Sequence, residues 1–156
     1  MTVEVLVDAD ACPVKDEIYK VAFRYGAPVR LFANSPMRVP DHPSITLTVV
    51  SDGFDAADDA IAEAAHARAA VVTADILLAD RCLKAGARVV APNGKPFTVD
   101  GIGSAIAARA IMQDLRAGAD GLDGRGGGGG PPPFTKQDRS RFLSTLDETL
   151  VRLNRA

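Results

Sequence analysis

Residues 3–15, VEVLVDADACPVK, decide how this sequence is expected to fold. Residues 3–7 are apolar apart from one glutamate and rich in β-branched side chains, which predicts a short buried strand. Asp8 and Asp10 follow at once, and Pro13 then suits the first turn of a helix, where its missing N–H costs nothing. Two carboxylates therefore stand where a strand ends and a helix begins, which is where open α/β sheets bind ligands. The plainer alternative is that Asp10 only caps the helix and Asp8 is an ordinary loop residue.

The composition narrows the classes of protein to which the chain can belong. Its 156 residues suit one domain, and 47% hydrophobic residues indicate a globular fold. The formal net charge is −2, so nucleic-acid binding would need a local basic patch or a bridging cation. Cys12 and Cys82 have no zinc-site or disulfide spacing, so we expect reduced thiols and a cytoplasmic location. No apolar run reaches the length of a membrane span, and we expect no membrane association.

Strands and helices alternate along the next hundred residues. Strands are predicted at 29–33, 45–50, 70–73 and 88–91, and helices at 14–25, 54–68, 76–85 and 102–117. This alternation predicts a mostly parallel, five-stranded sheet with helices on both faces, an α/β sandwich of three layers.

The composition changes sharply after residue 117. Residues 118–134 are rich in glycine and proline and are predicted to be a linker between an α/β domain, 1–117, and a final helix, 135–156. Thr135 and Asp138 resemble a capping box at the start of this helix. An apolar stripe predicts that the helix packs on its own domain or on a partner subunit, which leaves a homo-oligomer open; the stripe is Phe142, Leu146, Leu150 and Leu153.

Aspartates recur where the predicted strands end. They are Asp8 and Asp10, then Asp55, Asp58 and Asp59, then Asp75 and Asp80. Parallel strands would gather several of them at one edge, and two carboxylates about 4 Å apart repel by roughly 4 kcal/mol at an effective dielectric of 20. A fold tolerates this repulsion when a cation or protons occupy the site, and hard oxygen ligands suit Mg²⁺ or Mn²⁺. The alternative for residues 55–59 is that aspartates simply favour the positive end of a helix.

Several segments together resemble a known family. They are DADACPVK at 8–15, NSPMRVP at 34–40, GFDAADDAIAEAA at 53–65, the run VVTADILLADRCLKAGARVVAPNGKPFT at 71–98, and TKQDRSRF at 135–142. Nearly the whole chain outside the glycine run looks like the YaiI/YqxD family of uncharacterised bacterial proteins. That family is grouped with PIN-like domains, parallel α/β sandwiches whose better-known members are metal-dependent ribonucleases. The resemblance implies a PIN-like fold and a metal-dependent hydrolase of phosphodiesters, with RNA as its partner.

The resemblance also implies roles for single residues. Asp8 matches the aspartate that PIN-like nucleases place at the end of strand one, Asp59 the one before an alanine-flanked helical turn, and Asp75 the one in T-x-D after strand four. These three are the implied catalytic and metal-binding residues, with Mg²⁺ or Mn²⁺ as the cofactor. PIN-like nucleases carry a further acidic residue, usually glutamate, on a helix after strand two, and this chain lacks it. Asp10 or Asp80 is the candidate to take its place.

Candidate substrate contacts surround this predicted site. Asn34, Ser35 and Arg38 follow strand two, and Arg38 is the best single candidate for a phosphate contact. Lys15 lies at the start of the first helix and could reach a phosphate, although the plainer reading is a solvated side chain. The basic start of the last helix, at 136–141, is more simply explained as a solvated face, and the alternative is a local basic patch for phosphate.

Two other functions stay open. The first is a phosphatase of the haloacid-dehalogenase type, for which LVDAD would be the nucleophile motif; against it, Cys12-Pro13 starts a helix without room for that family's flap. The second is a non-enzymatic protein that binds a metal or nucleic acid through its acidic residues.

Overall fold

The computed structural model describes residues 2–51, 53, 55–123 and 133–156, with the backbone alone over residues 116–123. Across these residues the strands are β1 (Glu4–Asp8), β2 (Val29–Ala33), β3 (Ile45–Val49), β4 (Ala69–Val72), β5 (Arg88–Val90) and β6 (Pro96–Phe97). The helices are α1 (Lys15–Arg24), α2 (Ala56–Ala64), α3 (Ile76–Lys84), α4 (Val99–Asp123) and α5 (Lys136–Arg155).

The strands form one sheet in the order β3-β2-β1-β4-β5-β6. Every neighbouring pair is parallel except β5 and β6, which are antiparallel. The predicted α/β sandwich with a mostly parallel sheet is therefore confirmed. The structure adds β6, a strand of two residues that begins with a proline and is too short to leave a periodic pattern in the sequence.

The central strand β1 divides the core into two halves. Val5 and Val7 point to the face covered by α1 and α5, and Leu6 points to the face packed against α2, α3 and α4. All three side chains are fully buried. Among the described residues, no helix combines the length and the apolarity needed to cross a bilayer.

The last helix packs on its own sheet. Phe142, Leu146 and Leu150 have no exposed surface and belong to the same half of the core as β1 and α1. The predicted capping box is present, with Thr135 and Asp138 each bonded to the other's backbone N–H. Burying each large side chain stabilises the fold by about 1.5–3 kcal/mol, so α5 is a structural part of the domain.

Polar contacts fix α5 against α1. Arg139 donates to Glu17 at 2.6 Å, and the Tyr25 hydroxyl donates to Asp147 at 2.6 Å. Arg24 pairs with the same Asp147 carboxylate. The two helices run side by side in the same direction.

Some predicted boundaries differ from those in the structure. Pro13 lies in a turn before α1 and not in its first helical turn, because the chain turns over residues 10–14 before the helix begins at Lys15. α2 ends at Ala64 and not at 68, since Ala65 is extended and leads into β4. Phe54, the predicted first residue of α2, lies outside the described residues.

The predicted linker begins later than expected. The backbone of α4 continues to Asp123, although residues 118–123 include two glycines. Each glycine costs a helix about 1 kcal/mol relative to alanine, which a helix that has already nucleated tolerates. The remainder of the predicted linker from 124 to 132 lies outside the described residues.

The turn between β5 and β6 packs tightly against α5. Gly94 has a φ of +88°, and a Cβ there would lie 2.5 Å from the Phe142 backbone nitrogen and 2.6 Å from the Arg141 carbonyl carbon. The Thr145 hydroxyl donates to the Gly94 carbonyl at 2.8 Å. This contact requires glycine for both its conformation and its lack of a side chain.

Replacing Gly94 with alanine should therefore destabilise the protein more than the same change at Gly26, which also has a positive φ but no atom within 4 Å of a built Cβ. We expect Gly26→Ala to cost about 1 kcal/mol from backbone strain alone. Gly94→Ala should cost at least about 2 kcal/mol more because α5 must shift away from the turn. Urea denaturation of both variants measures the difference. Equal losses would show that α5 adapts to the added methyl group.

Candidate functional site

Two neighbouring strands bring polar side chains together at the carboxyl edge of the sheet. β1 ends at Asp8, and β4 is followed by Thr73 and Asp75; Val7 lies opposite Val72 in the parallel register. The Thr73 hydroxyl donates to Asp8 Oδ2 at 2.9 Å and accepts from the Asp75 backbone N–H at 3.0 Å. Within the described part of the chain, Thr73 is the one buried polar side chain. It joins the ends of the two strands.

Asp75 is fixed by the helix that it begins. It is the N-cap of α3, and its Oδ1 accepts from the backbone N–H groups of Leu77 at 2.9 Å and Leu78 at 3.1 Å. This capping geometry typically stabilises a helix by about 1 kcal/mol. Oδ1 of Asp75 is therefore held by α3, and its carboxylate has a defined orientation.

A third carboxylate comes from α2. Burial raises the pKa of Asp58 to about 6, with further contributions from the charges of Asp75, Asp8 and Asp55 and from a hydrogen bond to Asp75. The pKa of Asp8 is also raised, first by burial, although its hydrogen bond from Thr73 opposes the shift. We call Asp8, Asp58 and Asp75 the carboxylate cluster.

The structure does not bring Asp59 or Asp80 to this cluster. Asp59 is exposed and pairs with Arg81 of α3 at 2.9 Å, because successive residues of a helix point about 100° apart. Asp80 pairs with Lys84 at 3.0 Å along α3. On α2, the aspartate that faces Asp8 and Asp75 is therefore Asp58, and Asp59, the resemblance-implied position, lies outside the cluster.

Asp10 connects two loops at the same edge. Both of its carboxylate oxygens lie 3.0–3.1 Å from the backbone N–H of Asn34, which follows β2. It does not cap α1, whose N-cap is Val14. Its charge contributes to the raised pKa of Asp8, so Asp10 borders the carboxylate cluster while bracing the loop.

Of the candidate substrate contacts, Lys15 is bonded to the loop that precedes it, and Ser35 and Arg38 are exposed to solvent. Lys15 points its ammonium group back into the loop before α1, where it donates to the carbonyl oxygens of Ala9 at 3.3 Å and Cys12 at 3.0 Å. Ser35 and Arg38 are exposed on the loop between β2 and β3. Lys15 thus holds the loop that carries Asp8, and Arg38 faces solvent.

The cluster combines oxygen donors with one group that titrates near neutral pH. Within the described residues, no three side chains of His, Cys, Asp or Glu form a ready-made metal centre. Asp8 and Asp75 are instead held by Thr73 and by the start of α3. A carboxylic acid with a pKa of about 6 can take up and release a proton under ordinary cellular conditions.

The sequence did not single out Thr73, and it left Asp58 as a candidate beside Asp59 without choosing it. Thr73 appeared only as the first letter of T-x-D, although its place directly after a buried strand was a signal. Asp58 lies three residues before Ile61, which is fully buried, and so shares the side of α2 that faces the sheet. The helical phase of α2 would have favoured Asp58 over Asp59.

The fold and the site define a parallel α/β sandwich with a carboxylate cluster at the carboxyl edge of its sheet. The chain belongs to the uncharacterized YaiI/YqxD family, whose model matches residues 6–152. It is similar to UPF0178 proteins from Sphingopyxis alaskensis, 68% identical over 151 residues and covering 97% of this chain and 95% of the relative. A second UPF0178 protein, from a Jannaschia species, is 54% identical, and the match covers 96% of this chain and 93% of the relative. A third, from Nitrobacter winogradskyi, is 53% identical, with 99% of this chain and 94% of the relative covered. No solved structure matches the chain.

The raised pKa of Asp58 predicts that the free energy of unfolding depends on pH. The pKa of Asp58 is about 6 in the folded protein and has an ordinary value of 3.8, so Asp58 binds its proton more tightly in the folded state. The resulting stabilisation is complete below pH 4 and is lost as pH rises through 6. Because Asp58 is partly solvated, we expect only about 1 kcal/mol from this shift. Asp58→Asn should be about that much more stable than wild type at pH 7.5 and equal to it at pH 4.

Urea denaturation in EDTA at both pH values measures this difference. Asp59→Asn is the matched control, since Asp59 is exposed and lies outside the cluster. A constant difference between Asp58→Asn and wild type across the range would contradict the assigned environment of Asp58.

Thr73 should hold the Asp8 carboxylate in its ionised form. Thr73→Val keeps the shape but removes the hydroxyl, so it should destabilise the fold by about 1–3 kcal/mol and raise the Asp8 pKa further. Thr73→Ser keeps the hydroxyl and should leave the Asp8 pKa near its wild-type value. NMR titration of the Asp8 side-chain carbonyl follows that pKa. Identical titration curves in the two variants would exclude this role.

Proposed function

We propose that the protein is a metal-dependent hydrolase that cleaves phosphodiester bonds in RNA. The observation that supports the proposal is the carboxylate cluster, in which Asp8, Asp58 and Asp75 act on one another's charge at the carboxyl edge of a mostly parallel sheet. Ligands of open α/β sheets bind at this edge. The family's own description names no activity, so the assignment depends on the chemistry of these residues and on the resemblance to PIN-like nucleases.

The donor chemistry of the cluster fits a divalent cation. Burial and mutual repulsion raise the pKa values of Asp58 and Asp8, and a cation between carboxylates would remove that repulsion. Asp8, Asp58 and Asp75 offer hard oxygen donors of the kind that Mg²⁺ and Mn²⁺ prefer, and Asp10 borders them. Such a cation supplies an activated water molecule and neutralises negative charge on the phosphate.

The side chains around the cluster have separate tasks in this proposal. Asp75, whose Oδ1 accepts two helix N–H groups, is a fixed anchor. Thr73 orients Asp8 through its hydroxyl. Asp58 has a pKa of about 6 without a cation, and a bound cation would hold it in its ionised form as a third oxygen donor. Lys15 acts on the loop before α1 and not on substrate, while Asn34, Ser35 and Arg38 border the edge on the β2 side.

The hydrogen bonding favours this reading over a phosphatase of the haloacid-dehalogenase type. That mechanism would need the second aspartate of LVDAD, Asp10, to exchange a proton with substrate. Both Asp10 oxygens instead accept from the Asn34 backbone N–H, so this carboxylate is engaged with the loop after β2. For the compartment, we propose the cytoplasm, because the only two cysteines, Cys12 and Cys82, are buried as free thiols.

Purified protein with Mn²⁺ should cut a labelled single-stranded RNA slowly, and Asp8→Asn and Asp58→Asn should each lower the rate at least about 100-fold. Asp59→Asn removes an identical charge one residue away from Asp58, outside the cluster, and should retain most of the activity. The comparison of Asp58→Asn with Asp59→Asn therefore separates the site from a general loss of negative charge.

Thermal denaturation with and without Mn²⁺ provides a second measurement that does not depend on turnover. A cation that binds only the folded state stabilises it by about 2.7 kcal/mol at a hundredfold excess over Kd, and Asp58→Asn should lose most of that gain. Equal cutting by wild type and Asp8→Asn would identify the activity as a contaminant. A full Mn²⁺ shift with no cutting would instead favour the non-enzymatic metal-binding alternative.

A further inference from the structure

We infer that the β5–β6 turn and the first turns of α5 form a binding surface for the phosphate backbone of single-stranded RNA. The surface consists of Lys95, Lys136 and Arg141, which we call the basic band; all three side chains are exposed. This inference rests on the proposed function, because it assigns the path by which RNA reaches the carboxylate cluster.

The basic band lies at the same edge of the sheet as the cluster. The Thr73 backbone N–H donates to the Val90 carbonyl at 3.2 Å, so the end of β5 lies beside the residue that orients Asp8. The β5–β6 turn starts directly after Val90 and carries Lys95. On the other side, Arg139 of α5 reaches the Pro13 carbonyl at 3.4 Å, in the loop that follows Asp8. The start of α5 therefore bridges the two loops next to the cluster.

The turn and the helix are held in a fixed relation. Arg141 donates to the Asn93 carbonyl at 3.2 Å, and Thr145 donates to the Gly94 carbonyl at 2.8 Å. Gly94 approaches the α5 backbone too closely for any Cβ. The charges of the basic band are thus placed on a rigid surface, which lowers the conformational cost of binding an extended ligand.

The acidic side chains near the band are already engaged. Asp138 accepts from the Thr135 backbone N–H in the capping box and pairs with Arg141 at 3.5 Å, and Glu17 pairs with Arg139 at 2.6 Å. Among the described residues, neither Lys95 nor Lys136 takes part in an ion pair. In a chain of net charge −2, this is a local positive surface at the same edge of the sheet as the carboxylate cluster.

The chemistry of the surface selects phosphate and not bases. Phe134, the aromatic residue closest to the start of α5, is half-buried beneath the Arg139 guanidinium at 5.1 Å, and Phe142 is fully buried. No exposed aromatic ring belongs to the described part of this surface, so bases have no platform on which to stack. Binding through phosphate contacts alone is independent of sequence and strongly dependent on salt.

The test uses fluorescein-labelled U12 and A12 RNA and fluorescence anisotropy in EDTA, which keeps binding separate from cleavage. The variant Lys95→Gln/Lys136→Gln removes two charges from the band. Arg152→Gln/Arg155→Gln removes two charges from the far end of the same helix and is the matched control. We expect the band variant to bind about fivefold to tenfold more weakly at low salt, and the control to change less than twofold.

The salt dependence gives an independent measure. With about 0.7 counterions released per phosphate of a single strand, the band variant should lower the slope of log K against log salt by about 1.4. U12 and A12 should give the same affinity. Poly-glutamate of equal charge should compete poorly, since spaced phosphates and not charge alone are the ligand.

Several results would overturn the inference: equal effects of the two double variants, no RNA binding by the wild type, a strong preference between U12 and A12, or equal competition by poly-glutamate. Its failure can be distinguished from failure of the proposed function. Wild-type cleavage combined with undiminished binding by Lys95→Gln/Lys136→Gln would remove the basic band and keep the hydrolase. Binding through the basic band without Asp58-dependent cleavage would keep the basic band and contradict the proposed hydrolase.

Discussion

The burial of β1 on both faces determines where this protein can place polar groups. Val5, Leu6 and Val7 have no exposed surface, and an unpaired polar side chain at any of these positions would cost about 1–3 kcal/mol. The strand carries charges only at its two ends, at Glu4 and at Asp8. Both neighbours of β1 are parallel to it, so their ends arrive at the same edge and deliver the Asn34 N–H and the Thr73 hydroxyl. The position of the candidate site is thus a consequence of the core.

The three aspartates of the carboxylate cluster differ from one another because their surroundings differ. Asp75 caps α3 and accepts two backbone N–H groups, which fix its orientation. Asp58 has no such partners, is partly buried and faces the charges of Asp75 and Asp8, so its pKa rises to about 6. Asp8 lies between these cases, because burial raises its pKa while the Thr73 hydroxyl opposes the shift. The fold therefore gives three chemically identical side chains different surroundings: one caps a helix, one is oriented by a hydroxyl, and one has a pKa near neutrality.

The features that follow from regular periodicity were predictable from the sequence. The sheet, the helices on both faces and the apolar stripe of α5 depend on the spacing of apolar residues, which can be seen directly in the sequence. The choice between Asp58 and Asp59 depends on the rotational phase of α2, and that phase is set by packing around Ile61. The inward turn of Lys15 and the bond from Asn34 to Asp10 depend on loop conformations that have no periodic signal. The sixth strand and the late end of α4 were missed because two residues are too few to show a pattern and because a formed helix continues through glycines.

The place of α5 in the chain has a consequence for biosynthesis. This helix covers one face of the sheet, yet it is translated after all six strands of the described structure and after the glycine run. Until Phe142, Leu146 and Leu150 have emerged from the ribosome, the part of this face over β4 and β5 stays open to water. An unfinished chain would present that apolar surface to chaperones and proteases, as incomplete folds generally do. Quality control can therefore recognise a chain truncated before α5 by the uncovered half of its core.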